Sequence, residues 1–384
     1  MTSKESKRHT ELARPHLGQF GRNEWAILGA KCDVIKDLAD TIIRALAREH
    51  ACAYIDAVHH DDAPMPHGRL AAGAELEYIE HQQFRQFNDH RPCGKLQHNL
   101  HFNDCDLVLV NGNHHQAEAQ VVIIDVQKIE SLKKRAEQLT NVQMILVADN
   151  AEDIFDFVKA KNPGWQELPV YGLQEKDKII DFFKARLKAR KPPLNGLVLA
   201  GGKSTRLGID KTLLDWHGME QKYFIAQLLS KYCDDVFISA REDWDGDIDG
   251  DFKVIRDQFI GLGPYGGILS AFRQFPGHAW LVVASDLPLL DADTLSQLCG
   301  NRKTSAIATT FESPHDALPE PLVSIWEPNA YQKLLSFLGL GISCPRKVLM
   351  NNNTNIIKPF NPTSLMNVNT KEDFEKAKDL MKHT

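Results

Sequence analysis

A chain of 384 residues is longer than one hydrophobic core usually organises, so we expect two domains. With 43% hydrophobic and 25% charged residues it has the composition of an ordinary globular protein, and its longest apolar runs are strand-sized, which excludes a membrane-spanning protein. A formal net charge of −6 gives no general attraction for nucleic acid.

Strand-like apolar runs alternate with helix-length amphipathic segments, which is typical of parallel α/β architecture. The first series predicts strands at 25–28, 51–56, 106–110, 121–125 and 142–148, and helices at 35–48 and 128–140. A basic helical stretch at 176–190 and the pair Pro192-Pro193 end this series. We therefore predict a tail at 1–23, a first domain at 24–190 and a second at 191–384.

The second series predicts strands at 196–200, 235–239, 252–255, 279–284 and 305–309. We expect both domains to be three-layer α/β folds, because each strand series is interleaved with helical segments. The expected sheet is Rossmann-like in the second domain and P-loop-like in the first.

A glycine-rich loop follows the first strand of the second series. It reads Gly201-Gly202-Lys203-Ser204-Thr205-Arg206-Leu207-Gly208-Ile209-Asp210-Lys211. Glycines let backbone N–H groups approach phosphate oxygens, and cationic side chains neutralise their charge. A Gly-Gly pair is also a common turn. A Walker A loop would require glycine where Leu197 stands, which disfavours a P-loop ATPase.

The string from Leu199 to Lys211, LAGGKSTRLGIDK, resembles the signature of the molybdenum cofactor guanylyltransferase (MobA-like) family, with Leu207 in place of the usual Met. The resemblance implies a Mg²⁺-dependent transfer of GMP from GTP to molybdopterin. It implies nucleotide-binding roles for Leu199, Ala200, Gly201, Gly202, Lys203 and Ser204, and phosphate-contacting catalytic roles for Arg206 and Lys211. Within the molybdopterin enzymes, the Ala-Gly-Gly order accompanies guanylyl rather than cytidylyl transfer.

Asp257 precedes a run from Gly263 to Ile268 that resembles the family's second motif, with Tyr265 and Gly267 as departures. The resemblance implies that Asp257, Gly263 and Gly267 bind the nucleotide. A tight turn before a helix is the competing interpretation.

The predicted strand 279–284 leads into Ser285-Asp286-Leu287-Pro288, which resembles the family's C-D-M-P. Open α/β sheets bind ligands at the carboxyl ends of parallel strands, and Mg²⁺ prefers carboxylates with phosphate oxygens. Asp286 is therefore our candidate catalytic metal ligand. The alternative role is a cap for the following helix.

The run from Asn367 to Asp373 resembles the closing family motif, with Lys371 in place of Pro. It places Asn367 and Asn369 toward the second substrate, while Thr370 and Asp373 also fit a helix capping box. Arg346, beside Lys347, is a further candidate for that substrate's phosphate. A solvated basic pair is the alternative.

Other functions remain open at this stage. A cytidylyltransferase or a sugar-phosphate nucleotidyltransferase shares the fold and the loop, and a non-catalytic nucleotide-binding adaptor is a rival from another class. The expected ligands are GTP, molybdopterin and Mg²⁺, and molybdoenzymes or other cofactor-biosynthesis proteins are the expected partners. Neither nucleic acid nor a membrane is expected.

The first domain has the layout of a P-loop protein without the phosphate-binding Gly-Lys-Thr. Residues 24–161 weakly resemble MobB-like partner proteins of the guanylyltransferases. The resemblance implies a degenerate MobB-like module without NTPase activity, for scaffolding or substrate delivery. A purely structural domain is the alternative.

Several other patterns favour structural interpretations. The run 245–250 matches half of an EF-hand loop, but Arg256 stands where the bidentate Glu belongs. The runs 59–62 and 113–115 contain adjacent histidines, which we interpret as surface residues. The seven cysteines form no close pair, and the polar N-terminus lacks the apolar segment of a secretory signal, so we expect a cytoplasmic protein with reduced thiols.

Overall fold

The computed structural model describes residues 11–58, 68–200, 216–242 and 252–382. The chain divides into two compact units, one formed by Leu17–Arg190 and the other mainly by Lys191–Thr384. In both, sheets flanked by helices confirm the predicted α/β class. Within the described ranges, no helix has the length and apolar character needed to cross a bilayer.

Strands and helices of the first unit are as follows. The strands are β1 (Glu24–Leu28), β2 (Cys52–Ile55), β3 (Leu76–Glu80), β4 (Arg85–Asp89), β5 (Leu107–Asn111), β6 (Ala119–Ile124), β7 (Val142–Val147) and β8 (Val170–Gly172). The helices are α1 (Cys32–Leu46), α2 (Gly68–Ala71), α3 (Lys95–Phe102), α4 (Ile129–Lys133), α5 (Asp156–Lys161) and α6 (Lys176–Ala189).

The main sheet of the first unit has the order β2-β5-β1-β6-β7-β8, with parallel pairing throughout, and β3 and β4 form a separate antiparallel hairpin. Its central strands are continuous apolar runs because both faces are covered. Helices α1 and α6 pack on one face. Helices α4 and α5 pack on the other, giving three layers.

The segment before β1 belongs to this unit rather than trailing from it. Phe20 is buried, and the backbone N–H groups of residues 19–21 donate to the buried carboxylate of Glu24. A buried charge is costly unless hydrogen-bonded. Glu24 therefore fixes residues that the sequence assigned to a tail.

Strands and helices of the second unit are as follows. The strands are β9 (Leu194–Leu199), β10 (Val236–Ala240), β11 (Lys253–Arg256), β12 (Ala279–Ala284), β13 (Ala308–Glu312), β14 (Pro319–Trp326) and β15 (Thr354–Ile357). The helices are α7 (Gln221–Leu229), α8 (Pro264–Gln274), α9 (Ala292–Gly300), α10 (Ala330–Gly339), α11 (Pro345–Met350) and α12 (Lys371–Met381).

The sheet of the second unit has the order β11-β10-β9-β12-β14-β13-β15. Successive residues of β9 point to opposite faces, so that Leu197 packs with α8 and α10 while Val198 packs with α7 and α9. Strand β14 is antiparallel to both of its neighbours, β12 and β13. The sheet is therefore mixed, whereas the sequence predicted a parallel series.

A buried ion pair ties the start of the second unit to its sheet. Arg302 donates to both carboxylate oxygens of Glu327, at 2.6 and 3.0 Å, and to the carbonyl of Pro192 at 2.9 Å. Because the guanidinium satisfies both carboxylate oxygens, the charges are tolerated in the interior.

Candidate functional site

The candidate site lies at the carboxyl edge of the second unit's sheet. From β9 the chain builds β10 and β11 on one side and then returns to place β12 on the other. Such a reversal leaves a crevice at the carboxyl ends of the two central strands, where open α/β sheets bind ligands. Here those strands are β9, which ends at Leu199, and β12, which ends at Ala284.

The two central strand ends are directly joined. Leu199 pairs with Ala284, and the Ser285 N–H donates to the Leu199 carbonyl at 3.2 Å. The predicted phosphate-loop residues from Gly201 to Lys211, including Gly202, Lys203, Ser204 and Arg206, lie outside the described residues. Ala200, just before them, therefore emerges beside the segment that carries Asp286.

The chain returns to the same place after the loop. The Gln221 side chain donates to the Leu287 carbonyl at 3.0 Å, and Nε2 of His217 lies 2.9 Å from the Pro288 carbonyl oxygen. Residues 285–288 thus contact the segments on both sides of the predicted loop, which brings that loop's ends and Asp286 together.

A second group of candidate residues meets at the ends of β9 and β10. The Ser239 hydroxyl donates to Oδ1 of Asp257 at 3.1 Å. A Cβ added to Gly267 would lie 2.8 Å from Cδ2 of Leu199, 3.0 Å from Oγ of Ser239 and 3.6 Å from Oδ1 of Asp257. Burial raises the pKa of Asp257, and the Ser239 hydrogen bond acts in the opposite direction. Leu199, Asp257 and Gly267 are therefore immediate neighbours.

The predicted tight turn before a helix is also present at this place. Gly263 is the N-cap of α8 with φ 56°, a conformation that favours glycine, and Pro264 is in the helix's first turn. Nothing lies within 4 Å of a Cβ built on Gly263. The backbone conformation, and not a close approach, explains glycine at this position.

The C-terminal asparagines lie on either side of a residue that is hydrogen-bonded to Asp286. The Val368 N–H donates to the backbone carbonyl of Asp286 at 2.9 Å, and Val368 lies between Asn367 and Asn369. The predicted capping box is confirmed, because Thr370 and Asp373 cap α12 reciprocally. The cap fixes the direction of the chain as it leaves Asp286.

Arg346 lies between two carboxylates, those of Asp316 and Glu320. Its Nη1 donates to Asp316 at 2.7 Å and its Nη2 to Glu320 at 3.3 Å. Glu320 is a missed member of this edge. In the sequence, Glu320 is distinguished only as an acidic residue between Pro319 and Pro321. The antiparallel pairing of β14 with β12 is what places Glu320 at this edge of the sheet.

No group of three or more His, Cys, Asp or Glu side chains suited to a metal occurs within the described ranges. The carboxylate of Asp286 is an oxygen donor, whereas that of Glu320, across the strand ends, accepts hydrogen bonds from Leu322 and Arg346. Oxygen donors suit Mg²⁺, which keeps several waters and substrate oxygens and needs one or two carboxylates from the protein. The residues present therefore fit a magnesium ion that a phosphate substrate brings or shares.

The equivalent edge of the first unit carries a different set of groups. The turn between β1 and α1 is three residues long, and the Asn113 amide donates to the Ala30 carbonyl within it. Asp56 lies nearby, and hydrogen bonds from Ala57, Asn111 and Tyr54 outweigh burial and keep the pKa of Asp56 below its ordinary value. A short turn beside a carboxylate is a poor cradle for phosphate.

The interpretation of the histidines in 113–115 as surface residues is wrong for His114. Its side chain is only 15% exposed, and its Nε2 lies 3.4 Å from Sγ of Cys32 and 3.7 Å from Oδ1 of Asp56. The end of β5 turns this side chain back toward α1. The runs 59–62 and 245–250 lie outside the described residues.

Comparison with known proteins gives one family match. Residues 196–354 match the MobA-like NTP transferase domain family. The matched range includes the glycine-rich loop, Asp257, Asp286 and Arg346, and it ends before Asn367.

Individual relatives agree with this match. A molybdenum cofactor biosynthesis bifunctional protein from Synechocystis is 34% identical over 198 residues, 51% of this chain and 57% of the relative, so this chain spans little more than half of that protein. A molybdenum cofactor guanylyltransferase from Shewanella frigidimarina is 27% identical over 39% of this chain and 77% of its own length. The solved structure of molybdopterin-guanine dinucleotide biosynthesis protein A from Archaeoglobus fulgidus covers 50% of this chain and 100% of its own, with 22% identity and a TM-score of 0.41.

Proposed function

We propose that the chain transfers GMP from GTP to molybdopterin and releases pyrophosphate, because residues 196–354 match the MobA-like NTP transferase domain family. The terminal phosphate of molybdopterin attacks the α-phosphorus of GTP in line, and the bond to the pyrophosphate leaving group breaks. The nucleophile is already anionic, so no general base is required. The protein contributes positioning and charge neutralisation.

The proposed nucleotide site extends from the loop to the first turn of α8. Its members are Leu199, Ala200, Gly201, Gly202, Lys203, Ser204, Lys211, Asp257, Gly263 and Gly267. Backbone N–H groups of the loop bind the phosphates, with Arg206 and Lys211 neutralising charge. The proximity of Gly267 to Leu199 and Asp257 supports this assignment, because it brings the residue before the loop close to the second motif.

Asp286 is the proposed metal ligand, and Mg²⁺ held there would neutralise charge on the transferring phosphate. The position of Asp286 beside Ala200 supports this role, since the triphosphate and the carboxylate would share one crevice. Asn367, Asn369 and Arg346 are the proposed contacts of the second substrate. The Val368 to Asp286 hydrogen bond supports the first two by placing them beside that crevice.

For the first unit we propose a scaffolding or delivery role as a degenerate MobB-like module. The short turn after β1 and the Asp56 carboxylate support the loss of NTP binding, because both oppose a bound phosphate.

The observation that carries the proposal is the convergence of Ala200, Asp286 and the Asn367–Asn369 segment at one strand edge within or beside the matched family range. The test is a pyrophosphate-release assay on the full chain with each of the four NTPs, with and without molybdopterin. The expected result is release with GTP only when molybdopterin is present.

Release with CTP, or with GTP and a sugar phosphate in place of molybdopterin, would assign a different transferase. Binding of GTP without any transfer would instead indicate a nucleotide-binding adaptor.

A further inference from the structure

The turn between β13 and β14 lies at the same sheet edge as Asp286. Strand β14 is antiparallel to β12, so β14 begins where β12 ends. The last pair in that register is Val283 with Val323. Continued past this pair, the register sets Asp286 opposite Glu320. Glu320 therefore lies across the strand ends from the proposed metal ligand.

Glu320 is held at both carboxylate oxygens. Its Oε1 accepts from the Leu322 N–H at 3.3 Å and its Oε2 accepts from Nη2 of Arg346 at 3.3 Å. The side chain is only 14% exposed. Burial raises the pKa of Glu320, and the nearby Asp286 carboxylate acts in the same direction against the effects of Leu322 and Arg346. A largely buried carboxylate that accepts two hydrogen bonds has little freedom to move.

The other carboxylate on Arg346 is fixed by the turn itself. Asp316 accepts from Nη1 of Arg346 at 2.7 Å and from the Leu318 N–H at 3.2 Å. The intervening Ala317 has φ 58°, and among the described residues it is the non-glycine with a positive φ. Such a conformation persists only where its surroundings enforce it, and it concentrates at functional sites.

The guanidinium of Arg346 has further N–H groups that could donate to a ligand. The two carboxylates occupy one N–H donor on each terminal nitrogen, while 30% of the side chain is exposed. A planar guanidinium fixed along one side can present its remaining donors to a phosphate in a single orientation. Without Glu320 the long side chain would sample several rotamers before binding.

We propose that Glu320 is a positioning residue that, with Asp316, orients Arg346 toward the terminal phosphate of the second substrate. This inference rests on the proposed function and deepens it. Carboxylates that merely compete with the substrate for Arg346 would instead weaken phosphate binding. The two behaviours predict opposite changes in KM.

The test uses the full chain with Arg346→Ala, Glu320→Gln, the double variant, and Asp89→Asn as a matched control. The control breaks an Arg–carboxylate pair, Arg91 with Asp89 at 2.7 Å, in the other unit. GMP transfer is measured at saturating GTP with molybdopterin varied. Glu320→Gln should raise the KM for molybdopterin about tenfold, which corresponds to the loss of one charge-assisted hydrogen bond, with kcat little changed.

The double variant should be no worse than Arg346→Ala alone, since Glu320 acts through that side chain. An unchanged or lowered KM in Glu320→Gln, or additive effects in the double variant, would overturn the positioning role. Asp316→Asn, at a more exposed residue, replaces Glu320→Gln if that variant does not fold, and it should raise the same KM.

A second measurement separates this inference from the proposed function. Inorganic phosphate is titrated into the same proteins by calorimetry. The expected result is binding that Arg346→Ala abolishes and Glu320→Gln weakens. If the wild type transfers no GMP, the proposed function is wrong, and this titration alone decides the role of Glu320. Phosphate binding that is unchanged in Arg346→Ala or in Glu320→Gln would refute the positioning role of Glu320.

Discussion

Gly267→Ala tests the proposed nucleotide site through one methyl group. The added Cβ would lie 2.8 Å from Cδ2 of Leu199 and 3.0 Å from Oγ of Ser239. Since carbon contacts ordinarily lie at about 3.5–4.0 Å, the neighbours must yield by about 0.7 Å. Leu199 can turn its side chain, but Ser239 is fixed on a buried strand. The hydrogen bond from Ser239 to Asp257 should therefore be displaced.

Overpacking of this kind costs about 1–3 kcal/mol, partly offset by about 1 kcal/mol because alanine is the better helix former. The net loss of stability should therefore be small. GTP affinity should fall more, by about tenfold or more, because Asp257 would lose its orienting hydrogen bond and charged hydrogen bonds are worth roughly 1.5–3 kcal/mol.

Calorimetric titration of GTP with Mg²⁺ and a thermal melt measure the two effects separately. The matched control is Gly277→Ala, because nothing lies within 4 Å of a Cβ built on Gly277 and its φ is not in the left-handed region. The control should bind GTP like the wild type. A Gly267→Ala protein that binds GTP with wild-type affinity would remove this part of α8 from the site.

Three further predictions follow from the same geometry. Asp286→Asn should melt like the wild type but transfer GMP on the order of a hundredfold more slowly, with partial rescue by raised Mg²⁺; a wild-type rate would make Asp286 structural only. Asp257→Asn should lose GTP affinity yet be at least as stable at pH 7. Burial raises the pKa of Asp257 in the folded state. The contribution of this carboxyl group to stability is therefore fully present below its ordinary pKa and is lost as the pH rises through the raised pKa. Denaturation of the wild type and of Asp257→Asn across pH 4–7 should show that the stability of the variant relative to the wild type increases with pH. A variant that is less stable than the wild type at pH 7 would contradict the reasoning. A fragment of residues 17–190 should hydrolyse neither GTP nor ATP in a phosphate-release assay, and measurable turnover would show that the short turn after β1 does not prevent catalysis.

The sequence predicts best where one physical signal dominates. The strand 279–284 matches β12 in both bounds, because a continuous apolar run is what a strand covered on both faces requires. The helix expected at 128–140 instead breaks after Lys133. There the Lys134 N–H bonds to carbonyls of both Glu130 and Leu132. Periodicity identifies the buried face but not where the last turn tightens.

Strand β14 shows why part of the site escaped prediction. It begins at Pro319 and contains Pro321, and proline argues against a central strand because it cannot donate to the ladder. The tertiary fold accepts both prolines where β14 leaves its pairing with β12. Glu320, between them, is opposite Asp286 only through pairing of distant segments. No local pattern could have placed it there.

The charges at this edge bear on the role proposed for the glycine-rich loop. Asp257, Asp286 and Glu320 are carboxylates at this edge. The guanidinium of Arg346 is already hydrogen-bonded to Asp316 and Glu320. A triphosphate approaching these groups alone would meet net repulsion. Under the proposed function, its affinity would come from Mg²⁺ and from the cations proposed in the loop, Lys203, Arg206 and Lys211. The carboxylates would then favour the metal complex of the nucleotide over the bare anion, so that binding and chemistry would depend on the same ion.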